Sequence, residues 1–144
     1  MNEAAATAAA PAAAPARVAA CCCGQLRLAV RGEPMRVSAC HCRACQRRTG
    51  SAFGLQARFA ADAVTIEGDA SEYIRTADSG HRIHLHFCPA CGSTVYYRFE
   101  NHAQFIGIAV GAFADPGFPP PQFSVWEKRR HPWVAMPDGI AHQD

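Results

Sequence analysis

Nowhere in the chain does an apolar run reach the roughly 18 residues a membrane-spanning helix needs, so a transmembrane helix is excluded. Charge is scarce and nearly balanced: 18% of the 144 residues are charged, and the formal net charge is +2. That balance excludes a strongly basic nucleic-acid arm, an acidic tail and a wholly disordered chain. A credible export signal is lacking as well. Glu3 stands where a basic residue belongs, and Pro11 and Pro15 interrupt the apolar stretch that follows. Residues 1–18 are therefore expected to form a flexible Ala/Pro-rich tail before one domain over 19–144, with the cytoplasm as the default compartment. Apolar residues make up 49%, but alanine in the first twenty positions inflates the figure. The roughly 120 residues that remain can bury a modest core, which a staple would help.

Cysteine is what the chain has in excess. Its eight cysteines fall in three clusters: Cys21, Cys22 and Cys23; Cys40, Cys42 and Cys45; Cys88 and Cys91. A reducing compartment and the C-x-x-C spacing favour metal over disulfides. Cys88 and Cys91 form a knuckle closed by Gly92, and Cys21 and Cys23 form a second pair closed by Gly24. Together the two pairs make a Cys₄ tetrahedron, the closed form of a structural zinc site. Cys40, Cys42 and Cys45 then supply three thiolates with no evident fourth, the composition of a catalytic site with one open position. Cys22 is left over. Either Cys22 or His41 remains an alternative fourth ligand, which would close the second site into a structural one.

These motifs resemble the glutathione-dependent formaldehyde-activating enzyme family, also called centromere-protein-V-like. The resemblance is carried by Cys-x-Cys-Gly-x-Leu-Arg at 21–27, Cys-His-Cys-x-x-Cys at 40–45, Arg-Arg-Thr-Gly-Ser-Ala-Phe at 47–53 and Phe-Cys-x-x-Cys-Gly-Ser at 87–93. It implies a β-tent zinc fold, mainly antiparallel β, with few short helical turns. It also implies a structural zinc on Cys21, Cys23, Cys88 and Cys91, and a catalytic zinc on Cys40, Cys42 and Cys45. The implied activity is carbon–sulfur bond formation and cleavage, joining glutathione and formaldehyde. Ala19 and Cys22 depart from the family's usual residues.

The remaining pattern agrees with a β fold. Leu26, Leu28 and Val30 alternate with polar or small neighbours, as do Ile83, Leu85 and Phe87, and residues 95–99 leave the knuckle as the return strand of a hairpin. Further strands are expected over 52–59, 72–76 and 105–110, with helical turns only at 43–49 and 60–63. A dicarboxylate such as glutathione calls for cationic forks, and Arg47 and Arg48 follow the three-cysteine cluster directly. His41 is a candidate for orienting substrate or donating to a cysteine sulfur. His84 and His86 share one strand face and read as a solvent face before a metal pair. Phe53, Phe87, Tyr96, Tyr97, Trp126 and Trp133 are candidates for a pocket wall or for plain core. The basic run Lys128, Arg129, Arg130 and His131 is a thin footprint for nucleic acid. The leading expectation is a zinc-dependent lyase acting on a small thiol; the runner-up is a non-catalytic zinc-stabilised module. A homodimer is compatible with either.

Overall fold

The computed structural model describes residues 16–144. Eleven strands and one α-helix follow in order: β1 (Arg17–Ala20), β2 (Arg27–Val30), β3 (Arg36–Cys40), α1 (Arg43–Thr49), β4 (Gly54–Ala60), β5 (Val64–Glu67), β6 (Ser71–Thr76), β7 (Arg82–Phe87), β8 (Thr94–Phe99), β9 (Phe105–Ala109), β10 (Phe123–Val125) and β11 (Ala141–Gln143). Single 3₁₀ turns occupy Ala61–Ala63, Val110–Phe113 and Glu127–Arg129. The mainly-β expectation holds. The tail expected over 1–18 falls on residues 1–15 outside the described chain, and its last two residues, Arg17 and Val18, belong to β1. Among the described residues no helix is long and apolar enough to cross a membrane.

The strands form two sheets, a small one ordered β1-β2-β5 and a large one ordered β11-β10-β3-β4-β9-β8-β7-β6. Pairing is antiparallel except around β10, which runs parallel to both β3 and β11. The sheets are thus mainly antiparallel, as expected, with two parallel pairs. They arise because the chain returns from its C-terminal third to extend an existing edge, not to close a hairpin.

Period-two alternation decides which side of the large sheet holds the core. Val37, Ala57, Phe59, Ile106 and Ile108 point to one face, where they are buried in one cluster with Leu28 and Val30 of the small sheet and Leu26 just before β2. Their neighbours in sequence point to the other face. There Arg36, Ser38 and Cys40 of β3, Gln56 and Arg58 of β4, and Tyr97 and Phe99 of β8 line an open cavity of about 1140 Å³. One face thus holds the domain together and the opposite face forms its cleft.

Candidate metal centres and the arginine-lined cavity

The knuckle cysteines lie in the turn between β7 and β8, and the first pair lies in the turn between β1 and β2. The fold brings Cys21, Cys23, Cys88 and Cys91 together, with all four sulfurs within 4.8 Å of one another. Gly24 and Gly92 adopt left-handed backbone at φ 80° and 79°, which lets each turn close without a Cβ clash. The Sγ atoms of Cys21 and Cys23 are 3.6 Å apart, and those of Cys23 and Cys88 are 3.7 Å apart. A tetrahedron with Zn–S bonds of about 2.3 Å has S···S edges of about 3.8 Å, so these four thiols fit a zinc ion.

Donors surround the sulfurs. Leu26 N–H donates to Cys21 Sγ at 3.3 Å, Ala90 N–H to Cys88 Sγ at 3.4 Å, and Gln25 Nε2 to Cys88 Sγ at 2.9 Å. Such donors spread thiolate charge and fix ligand orientation. The Cys91 thiol is pushed down to about 5, first by the Ser93 hydroxyl beside it. Gln25 also bonds both the carbonyl and the N–H of Asp69, at 2.8 and 2.9 Å, tying the site to the loop after β5. Nothing in the sequence pattern had singled Gln25 out.

The second group is Cys40, Cys42 and Cys45, whose sulfurs likewise lie within 4.8 Å of one another. Cys40 ends β3, Cys42 caps α1 and Cys45 lies in its first turn. The Cys42 sulfur accepts the Cys45 N–H at 3.4 Å, so the capping bond and the ligand geometry are one arrangement. Three thiols this close cannot all ionise without a cation. Sulfur hydrogen bonds from Cys40 and Cys45 push the Cys42 thiol down to about 2, while the contact with Cys42 drives Cys40 upward. A divalent ion removes that conflict, and the all-sulfur donor set suits zinc. Neither Cys22 nor His41 joins this group, so the described residues offer it three ligands. All eight cysteines are free of disulfides.

His41 is fully buried and does not line the cavity. Its Nε2 lies 2.9 Å from Ser124 Oγ, and Ser124 Oγ donates to Glu127 Oε1 at 2.6 Å. A hydroxyl has one proton, so His41 Nε2–H is the donor and its Nδ1 is bare. Burial lowers the His41 pKa, which agrees with a neutral ring. His142 Nδ1 meets the same Glu127 oxygen at 2.7 Å. This chain bolts the cysteine loop to β10 and β11. His41, expected as a substrate-orienting residue, is thus placed behind the cysteine loop, with its ring outside the cavity lining.

Arg47 and Arg48 both line the cavity, as does Arg43. Arg48 lies over the Tyr97 ring with its Cζ 4.8 Å from the centroid. Tyr97 is 2% exposed, and its hydroxyl has no hydrogen-bond partner. Burial pushes that hydroxyl up to about 12, so it stays protonated. Of the aromatic residues expected in a wall, Tyr97 and Trp126 line the cavity; Phe99 lines it too. Trp126 has left-handed backbone at φ 59°, a strained conformation for a bulky residue at the edge of a cleft. His84 and His86 both meet Glu72 Oε2, at 3.2 and 3.3 Å, and His84 Nε2 also lies 3.6 Å from Glu100 Oε1, so carboxylates account for that face. The basic run makes contacts within the fold. Lys128 pairs with Asp144, Arg129 with Asp78 and Arg130 with Glu127, while His131 meets Gln46.

A crystal structure of a Rhodobacter sphaeroides protein has a similar fold, with a TM-score of 0.54 at 19% identity over 72% of this chain and 91% of that one. The family model described as glutathione-dependent formaldehyde-activating enzyme matches residues 16–129, a span that holds both cysteine groups and Arg47 and Arg48. The chain belongs to the glutathione-dependent formaldehyde-activating enzyme family.

Proposed function

We propose that the protein is a zinc-dependent carbon–sulfur lyase that joins a thiol, glutathione first among candidates, to formaldehyde or a similar small electrophile, and runs the reverse reaction. The observation that carries this reading is the three-thiol group at the wall of a cleft rich in arginine. The four-thiol group, remote in sequence from end to end, is the structural site in this reading. The three-thiol group is the catalytic one, and Cys40, Cys42 and Cys45 are its ligands.

Zinc held by Cys40, Cys42 and Cys45 supplies the means to keep a substrate thiol deprotonated at neutral pH. The chain's own residues do the rest. Arg47 and Arg48 carry no acidic partner among the described residues and bind a substrate carboxylate. Tyr97 lines the cavity beneath Arg48, its O–H is buried without a partner, and it becomes a donor to the aldehyde oxygen once Arg48 turns to the substrate carboxylate. In the forward direction an S–C bond forms, the C=O π bond breaks, and the proton lost by the thiol is recovered on oxygen. No redox step is involved. Eight free thiols also suit a reducing compartment, the cytoplasm.

Exchange spectroscopy of formaldehyde with glutathione, with and without zinc-loaded protein, tests the activity. The expected result is faster exchange between free and adduct signals with wild type and background exchange with Cys45→Ser. Background exchange with both would favour the non-catalytic zinc-stabilised module.

A further inference from the structure

Arg36 and Arg58 face each other across the β3–β4 ladder as direct register partners. Like charges directly opposite in a sheet are destabilising. Yet both side chains line the cavity, and neither has an acidic partner among the described residues. The Nε of each is buried with no acceptor. Aromatic rings support the two guanidinium groups: Arg36 Cζ lies 3.9 Å from the Phe123 centroid, and Arg58 Cζ lies 5.2 Å from that of Phe99. Among the described residues, the pair's one hydrogen bond to a side chain runs from Arg36 Nη2 to Gln143 Oε1, at 3.3 Å. Burial lowers both pKa values, and Arg36 lowers Arg58 further. Two stacked, half-buried forks with unused N–H groups are suited to one bidentate anion.

Position gives the anion a meaning. Arg36 and Cys40 share one face of β3, four residues apart, which is about 13 Å along a strand. Arg47 and Arg48 are on α1, beside Cys45, at the thiol end. The cleft therefore has cations at both ends of a span comparable to an extended tripeptide of roughly 10 Å plus the reach of a side chain.

We infer that Arg36 and Arg58 form a second carboxylate subsite, which takes the distal carboxylate of a peptide thiol whose sulfur lies at the three-cysteine end. This deepens the lyase reading and rests on it for the identity of the thiol. What it adds is the pair of residues that holds the far carboxylate, and it disfavours short thiols such as free cysteine.

The test uses the zinc-loaded full chain and S-methylglutathione, which has both carboxylates and no reactive thiol. Calorimetry should show the Kd weakened tenfold or more in R36Q and R58Q. R58K, which keeps charge and stem but loses the fork, should be weakened several-fold and serves if R58Q folds poorly. Amidating one of the two carboxylates should weaken wild type by the same factor and R58Q by little more. Equal affinity in wild type and all three variants would overturn the subsite, as would a tenfold preference for a phosphorylated thiol. An independent arm follows the arginine Nε–H signals by NMR during titration with succinate. Shifts of the two signals missing from R36Q and R58Q support the subsite even if formaldehyde exchange is absent, in which case the lyase reading falls alone. Unmoved signals would overturn the subsite whatever the exchange experiment shows.

Discussion

Arg48 lies over the ring of Tyr97, Cζ to centroid 4.8 Å, and holds the one buried hydroxyl of the cavity wall that has no partner of its own. A burial of that kind costs free energy in the resting protein, about 1–3 kcal/mol for a lost hydrogen bond. Functional sites are where such a cost is tolerated.

Tyr97→Phe separates a catalytic donor from a packing residue. The variant removes only the unpaired oxygen, so it should melt at or above the wild-type temperature. Its kcat should fall on the order of 100-fold, the usual cost of losing one donor to a developing oxyanion, with KM for the thiol changed little. A variant with wild-type kcat would leave Tyr97 as a wall residue and no more.

Cys91→Ser and Cys45→Ser should behave differently. Cys91 belongs to the group that ties the turn after β1 to the turn after β7, and structural-zinc affinity is folding free energy. A loss of about 3 kcal/mol there lowers the Tm by roughly 10 °C. Cys45→Ser should abolish exchange while shifting the melting temperature far less. Differential scanning calorimetry on both variants checks this, and similar melting losses would contradict the division between the sites.

Ser124→Ala removes the acceptor of the fully buried His41 N–H. Leaving that donor unpaired should cost about 1–3 kcal/mol by urea denaturation. Because His41 stands between two cysteines of the three-thiol group, the variant should also lose metal from that group at lower chelator concentration.

The anchor chain predicts an acid sensitivity. Hydrogen bonds from Ser124 and then His142 hold the Glu127 carboxyl below the usual carboxylate range. A depressed carboxylate stabilises the fold at pH above its ordinary range, and that contribution is lost as pH falls through the lowered value. Melting curves across the acid range should show wild type losing its advantage over Glu127→Gln as pH drops. A constant gap between the two would show that this carboxylate does not titrate with folding.

Much of this was readable from residue order. Both thiol groups were legible in the cysteine spacing, because pairs on tight turns are local, and β2 and β7 in the alternation. The sequence 36–40 alternates polar and apolar as cleanly, and that signal would have revealed β3 with Arg36 and Cys40 on one face. What alternation cannot reveal is register. Arg36 meets Arg58 only because β3 and β4 pair as they do. Tyr97 faces the cleft while Tyr96 is in the core cluster, a choice made by pairing with β9 and not by composition. His41 looked like a site residue for its neighbours in sequence. Its role is set by Ser124, 83 positions away, delivered by a parallel strand that no local pattern announces.

The account depends on two separate thiolate-bound ions, one built into the scaffold and one facing the arginine-lined cleft. Native mass spectrometry of freshly purified protein, before and after brief exposure to a mild chelator, tests this most directly. Two zinc ions per chain, with one stripped early and that one missing from Cys45→Ser, is the predicted result. A single tightly held ion, or thiols found bridged in pairs with no metal, would contradict it.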